Sequence, residues 1–140
     1  MSDRAFVDTN VFVYMFDADE PKKRAKARDI VDKGARDGTL VLSAQVLGEF
    51  YETVTQKLAE PLSPADAARA VAGLCTLPLL PVDSATVLAA IARSRSDSLA
   101  YWDALLVETA RAGGCAVIVT EDLPDGRDFD GLRVVNPFRG

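Results

Sequence analysis

The chain has 140 residues, which fits one domain, and it carries a formal net charge of −5. It contains no histidine. This absence excludes Ser-His-Asp and Cys-His relays, histidine general bases and histidine-bound zinc as sources of activity. An enzyme of this composition must work with carboxylates, hydroxyls, lysine, cysteine or a bound cofactor.

The remaining bulk properties are those of a globular protein with a substantial core. Hydrophobic residues make up 49% of the chain and charged residues 26%. The longest uncharged stretch, 70–82, is too short to span a bilayer. The N-terminal segment resembles neither a signal peptide nor a transit peptide. We therefore expect a cytoplasmic protein that does not enter a membrane.

Short apolar strands alternate with helices along the chain. The pattern predicts, in order, a strand at 5–8, helices at 11–16 and 21–37, a strand at 40–42, helices at 44–58 and 63–74, a brief apolar stretch at 79–80, helices at 84–94 and 98–112, and strands at 116–119 and 132–135. Pro21 suits a first helical turn, and Gly38 and Gly113 suit helix ends. Uncharged strands separated by helices predict an α/β fold with a mostly parallel sheet that is buried on both faces.

Two aspartates follow predicted strands. Asp8 closes the strand at 5–8, and Asp122 lies shortly after the strand at 116–119. Ligands bind outside the carboxyl ends of strands in open α/β sheets, so these carboxylates are candidates for one site. Each is equally well explained as a helix N-cap or a turn residue, which are positions that aspartate favours.

Asp103 lies inside the predicted helix 98–112 on an apolar stripe. Its neighbours at helical spacing are Leu99, Leu106, Val107 and Ala110. An aspartate on such a stripe points toward the interior or a cleft, where a charge is costly unless it is paired or metal-bound. The alternative is a structural ion pair, for example with Arg95 or Arg111.

Glu49 lies in the middle of the predicted helix 44–58, directly after Gly48. A glycine costs a helix about 1 kcal/mol relative to alanine. One use of such a glycine is to let another segment or a ligand approach the backbone. Taken alone, Glu49 is also typical of a solvated helix carboxylate, and Glu52 competes for any role one turn later.

Four segments in this order resemble the acidic motifs of PIN-domain ribonucleases. They are VDTNV at 7–11, GEF at 48–50, YWDAL at 101–105 and TEDL at 120–123. The segment 126–138 resembles the end of the VapC-type toxins of bacterial toxin–antitoxin pairs. The resemblance covers nearly the whole chain. It implies a single PIN-like domain over 1–140, with a three-layer α/β/α fold around a central, mostly parallel sheet.

The resemblance also implies an acidic cleft that holds Mg²⁺ or Mn²⁺. It assigns metal binding and catalysis to four carboxylates, Asp8, Glu49, Asp103 and Asp122. It makes Asn10 and Thr120 supporting polar groups. Asp122 fits the Thr-x-Asp spacing of the family, while Glu121 lies in the same loop and Asp125 is the main rival for the fourth position.

This ligand set agrees with a chain that lacks histidine. Mg²⁺ is a hard cation that prefers oxygen ligands. Two carboxylates about 4 Å apart repel by roughly 4 kcal/mol at an effective dielectric near 20, and a divalent cation removes that conflict. The implied activity is metal-dependent hydrolysis of single-stranded or looped RNA, which leaves a 5′-phosphate and a 3′-hydroxyl.

A protein that binds RNA needs basic surface. Arg93, Arg95 and Arg127 lie near the proposed site elements in sequence and are candidate RNA contacts, whereas the basic run 22–26 is better explained as a solvated helix face.

The resemblance further implies a homodimer and a cognate antitoxin whose tail covers the cleft. Candidate apolar residues for receiving such a tail, for which core packing is an equally good explanation, are Phe12, Tyr14, Met15, Phe16, Leu47, Phe50, Tyr51 and Val54.

Two other functions compete with this interpretation. One is a non-catalytic PIN-like module that binds protein or RNA, and the presence of all four acids counts against it. The other is a phosphoryl-transfer domain in which Asp8 becomes phosphorylated. A haloacid-dehalogenase-type domain expects a second aspartate two residues later, and Asn10 occupies that place.

Overall fold

The computed structural model describes residues 3–139. Residues 1, 2 and 140 lie outside the described residues, and so do the start of the N-terminal segment and the two ends of the domain expected over 1–140. The helices are α1 (Thr9–Tyr14), α2 (Pro21–Asp37), α3 (Ala44–Gln56), α4 (Pro64–Leu74), α5 (Ser84–Asp97) and α6 (Tyr101–Ala112). The strands are β1 (Ala5–Val7), β2 (Leu40–Ser43), β3 (Leu79–Leu80), β4 (Val117–Val119), β5 (Asp128–Phe129) and β6 (Leu132–Val135).

The strands form one sheet with the order β3-β2-β1-β4-β6-β5. All neighbouring pairs are parallel except β5 with β6. Phe6 in β1 pairs with Val41 in β2 and with Ile118 in β4. The predicted α/β fold with a mostly parallel sheet flanked by helices is therefore confirmed.

Helices cover the sheet in two groups. In the first group, α1 contacts α2 and α3, and α3 contacts α4. In the second group, α5 packs on α6, which contacts β4 and β6. The central strands are apolar because both of their faces are buried. Phe6, Leu42 and Ile118 are fully buried between the layers.

Local signals determine where the helices begin and end. Asp8 caps α1, so this helix begins at Thr9, two residues before the predicted start. Ser98 adopts a left-handed conformation with φ of 52° and ends α5. The next helix, α6, consequently begins at Tyr101 and not at the predicted Ser98.

Strand β5 was not predicted, because two residues carry no alternation pattern. Asp128 and Phe129 pair antiparallel with β6 across a tight turn. Among the described residues, no helix is long and apolar enough to cross a membrane.

Candidate active site

A cleft of about 820 Å³ opens at the carboxyl ends of the central strands. Its lining comes from the residues that follow β1 and β4 and from helices α1, α3 and α6. All four predicted acids belong to it: Asp8, Glu49, Asp103 and Asp122. The fold therefore brings together side chains that lie more than a hundred residues apart in sequence.

Asp8 is the most buried of the four carboxylates, with 4% of its surface exposed. Its Oδ1 accepts a hydrogen bond of 2.7 Å from the backbone N–H of Thr9, and its Oδ2 accepts one of 2.8 Å from the Thr120 hydroxyl. Burial raises the pKa of Asp8 to about 6, against the lowering effect of the Thr120 hydrogen bond, and the charges of Asp122 and Glu49 add to the rise. Asp8 is thus both the N-cap of α1 and a cleft residue.

Asn10 and Thr120 connect Asp8 to Asp122. Nδ2 of Asn10 lies 3.0 Å from Oγ1 of Thr120, 3.2 Å from Oδ2 of Asp122 and 3.4 Å from Oδ2 of Asp8. The backbone N–H of Asp122 donates to Oγ1 of Thr120 at 3.0 Å. These contacts orient both carboxylates, which agrees with the supporting role expected for Asn10 and Thr120.

Asp103 lies in the first turn of α6 and lines the cleft. Within the described residues its carboxylate has no hydrogen bond and no ion pair, and Arg111 instead pairs with Glu108. The alternative of a structural ion pair for Asp103 is therefore wrong. Partial burial raises the pKa of Asp103, and the charges of Asp122 and Glu49 raise it further.

Glu49 is exposed on α3, and its Oε1 accepts a hydrogen bond of 3.0 Å from the Thr9 hydroxyl. Gly48 also lines the cleft. A Cβ added at Gly48 would meet nothing within 4 Å, so no other segment of the described chain packs against it. The glycine leaves open space in the cleft beside Glu49.

The rivals for the fourth acidic position are engaged elsewhere. Asp125 accepts a 2.8 Å hydrogen bond from the backbone N–H of Asn136, and it lies outside the cleft lining. Glu121 lines the cleft, but its carboxylate accepts hydrogen bonds from the Tyr14 hydroxyl and from Lys23. Asp122 is the acid of this loop whose carboxylate contacts the Asn10 side chain.

Sequence reasoning missed the cluster around Tyr14. Lys23 donates to the Tyr14 hydroxyl and to Glu121, both at 3.2 Å. The ring of Phe138 packs edge-on against Tyr14 with centroids 4.9 Å apart. Burial and the Glu121 hydrogen bond raise the pKa of Tyr14, so its hydroxyl stays a donor. Phe138, an isolated aromatic residue near the C-terminus, was the sequence signal that could have indicated this contact.

The three arginines predicted to contact RNA do not line the cleft. Arg93 forms ion pairs with three carboxylates, those of Asp97, Glu108 and Asp130. Arg127 lies over the Phe129 ring at 4.3 Å. Arg95 is exposed and unpaired among the described residues. Their contact with RNA remains a prediction, and the basic side chain that does line the cleft, Lys57, was missed.

The apolar residues suggested for an antitoxin tail divide into two sets. Phe12, Phe50 and Val54 are fully buried, so core packing is the correct explanation for them. Tyr51 is 39% exposed, and Tyr14, Met15, Phe16 and Leu47 are half-buried.

Within residues 3–139, no group of three or more cysteine, aspartate or glutamate side chains is arranged to hold a metal ion as it stands. The donor set nevertheless fits a hard divalent cation in kind. It consists of carboxylate oxygens, and the negative charges of Glu49 and Asp122 raise the pKa of both Asp8 and Asp103. A cation placed among these groups would relieve that repulsion.

An α/β domain with acidic side chains at the carboxyl edge of its parallel sheet is the class of protein that the fold and the cleft define. The family model of the PIN domain matches residues 5–123. The chain belongs to this family.

No curated protein matches the chain by sequence. A chain in the crystal structure of VapBC2 from Rickettsia felis bound to a DNA fragment from their promoter is similar to it. The TM-score is 0.65 at 15% sequence identity, and the match covers 93% of this chain and 96% of the other. This likeness shows the shared fold.

Proposed function

We propose that this protein is a VapC-type toxin, an endoribonuclease that hydrolyses RNA with a divalent cation, Mg²⁺ or Mn²⁺, held by carboxylates. The observation that carries the proposal is the convergence of Asp8, Glu49, Asp103 and Asp122 on one cleft from four separate parts of the chain. Membership of the PIN domain family and the order of the four acidic motifs support the same function.

Asp8 and Asp103 would be the principal metal ligands, and Glu49 and Asp122 would complete the site. A bound divalent cation supplies a water of lowered pKa and positive charge at the phosphodiester. The products would carry a 5′-phosphate and a 3′-hydroxyl, because water adds to phosphorus and the departing 3′-oxygen takes up a proton.

The surrounding residues fix these carboxylates before substrate arrives. The N–H of Thr9 and the hydroxyl of Thr120 hold the two oxygens of Asp8, and the Thr9 hydroxyl holds Glu49. Asn10 fixes Asp122 relative to Asp8. Such preorganisation places negative charge where a cation is to bind, at no reorganisation cost during the reaction.

The decisive experiment measures cleavage of a mixed single-stranded RNA pool with purified protein in Mg²⁺, in Mn²⁺ and in excess chelator. We expect cleavage with either ion, and none in chelator. Asp8→Asn and Asp103→Asn should each lose at least about a hundredfold in rate, because each removes a ligand charge. Asp29→Asn, an exposed acid of α2, is the matched control and should cleave normally. Equal cleavage by Asp8→Asn and the parent would contradict the proposal.

A toxin of this type needs a protein antagonist. We propose a cognate antitoxin that covers the cleft, a homodimeric toxin and action in the cytoplasm. The related solved structure is itself a VapBC2 complex. The half-buried residues Met15, Phe16 and Leu47 are apolar surface on which a tail could pack. Co-expression of the neighbouring gene, followed by copurification and loss of RNA cleavage, tests the antitoxin.

A further inference from the structure

Lys57 differs from every other charged residue in the cleft lining. Among the described residues of that lining it is the only basic one, and the others that carry charge are acidic. It is exposed at the C-terminal end of α3, and its side chain has no hydrogen bond or ion pair within residues 3–139. Its full positive charge is therefore available to an anion.

Helix α3 forms one wall that connects Lys57 to the carboxylates. Gln45, Glu49, Thr53 and Lys57 recur every four residues along it, and all four line the cleft. Lys57 follows Glu49 by eight residues, which is about 12 Å along the helix axis at about 1.5 Å per residue. Residues of α1 also line the cleft, and the cleft reaches from the carboxylates to Lys57 as a groove along α3.

We propose that a single strand of the substrate RNA lies in this groove, with a backbone phosphate at Lys57. The scissile phosphate lies at the carboxylates, and the phosphate at Lys57 is roughly two to four nucleotides away, depending on how extended the strand is. This inference rests on the proposed nuclease function and adds the path and one anchor of the substrate.

Two features favour a nucleic acid strand in this groove. A polyanion needs a cation beyond the metal site, because the carboxylates of the lining repel its phosphates, and Lys57 supplies that cation. Gly48 lies between Gln45 and Thr53 on the same wall, and a Cβ added there would meet no atom of another described segment within 4 Å. The absent side chain leaves room for the strand beside Glu49. A basic peptide is a poorer occupant of the groove, because the carboxylates attract it but Lys57 repels it.

The first test is the salt dependence of RNA binding. A fluorescein-labelled single-stranded RNA of about twelve nucleotides serves as the probe, and anisotropy is measured with Mg²⁺ in an Asp103→Asn background that prevents turnover. We expect Lys57→Gln to weaken binding about three- to fivefold and to lower the slope of log K against log salt by about 0.7, the value for one phosphate contact on a single strand. Lys26→Gln, which removes an exposed and unpaired lysine of α2, should leave both quantities unchanged.

The second test obstructs the groove. Gly48→Leu should weaken binding of the same RNA at least about tenfold without lowering the melting temperature, because a Cβ at this position has open space around it and the change removes a helical glycine. Gly73→Leu is the matched control: Gly73 also lies in a helix and also faces open space, but it is outside the cleft lining. It should bind RNA as the parent does.

The outcomes separate this inference from the function on which it rests. If the parent cleaves RNA with metal but Lys57→Gln and Gly48→Leu bind RNA as the parent does, the groove is not the path and the nuclease proposal stands. If Lys57→Gln weakens the binding of a glutamate-rich peptide but not the binding of RNA, the groove receives an acidic protein partner and the inference is overturned. If the parent neither binds nor cleaves RNA, both proposals fail.

Discussion

The Thr120 hydroxyl lies 2.8 Å from Oδ2 of Asp8 and joins the ends of two neighbouring parallel strands. Thr120 is fully buried, and Asp8 is 4% exposed. A buried carboxylate with few solvent contacts depends on such donors, because burial disfavours its charged form. The pKa of Asp8 nevertheless rises to about 6, so the hydrogen bonds only partly offset the cost of burial.

The first prediction concerns the stability cost of the Asp8 charge. Its pKa in the folded protein is about 6, against 3.8 as the reference value, so folding favours the protonated form. Stability contributed by Asp8 is therefore fully present below pH about 4 and is lost as the pH rises through about 6. The loss amounts to about 3 kcal/mol at about 1.4 kcal/mol per pKa unit. Asp8→Asn should raise the free energy of unfolding at pH 7.5 in chelator by about 1 to 3 kcal/mol, as measured by urea denaturation.

The matched control for this prediction is Asp29→Asn on the exposed face of α2. It should leave the free energy of unfolding within about 0.5 kcal/mol of the parent. A large decrease in stability for Asp8→Asn at pH 7.5 would mean that its hydrogen bonds outweigh the cost of the buried charge.

The second prediction concerns the effect of metal on stability. A cation that binds only the folded protein stabilises it by about 2.7 kcal/mol at a concentration of 100 times its Kd. Mg²⁺ should therefore raise the melting temperature of the parent and leave that of Asp8→Asn almost unchanged. Differential scanning fluorimetry over a range of Mg²⁺ concentrations measures both. Equal increases in the two proteins would show that the stabilising ion binds elsewhere.

The sequence predicted the sheet and the candidate acids better than it predicted the helix ends and basic residues. Asp8 and Asp122 follow buried strands, and the rule for the carboxyl ends of parallel strands is enough to place them together. Arg93 does not line the cleft, because closeness in sequence to Asp103 does not reveal the face of α5 on which it lies. Lys57 was missed because its position on the cleft depends on how α3 packs beside α1, which no local pattern encodes.

The third prediction concerns the cluster that holds the Asp122 loop. Tyr14→Phe keeps the ring that packs on Phe138 but removes the hydroxyl that donates to Glu121 and accepts from Lys23. We expect a loss of about 1 to 2 kcal/mol in the free energy of unfolding, because hydrogen bonds to charged groups are lost. Tyr51→Phe is the control, since Tyr51 is 39% exposed and its hydroxyl has no partner in the described residues. Urea denaturation that shows the same stability for both variants would contradict the role of the cluster.

The fourth prediction concerns Arg93, which is a structural residue in the ion-pair cluster of α5, α6 and the β5–β6 turn. Its side chain is 12% exposed and lies 2.6 Å from Glu108 and 2.7 Å from Asp130. Arg93→Ala should lower the free energy of unfolding by about 2 to 4 kcal/mol, because it leaves the buried Glu108 with Arg111 alone. Arg95→Ala is the control, and it should change stability by less than about 0.5 kcal/mol because Arg95 is exposed and unpaired among the described residues.

The last prediction is the acid response of the same cluster. Hydrogen bonding to Arg93 lowers the pKa of Asp130, so its contribution to stability is present above the ordinary aspartate pKa and is lost as the pH falls below about 4. The contribution of Asp8 to stability changes with pH in the opposite direction: it increases as the pH falls, because the pKa of Asp8 is raised in the folded protein. We therefore expect the unfolding free energy of Asp8→Asn to fall more steeply than that of the parent between pH about 6 and 4, since only the parent gains stability as Asp8 takes up its proton. Below pH about 4, Arg93→Ala should show a shallower decline than the parent. Urea midpoints measured at half-unit pH steps test both slopes, and parallel curves for all three proteins would contradict the assignment.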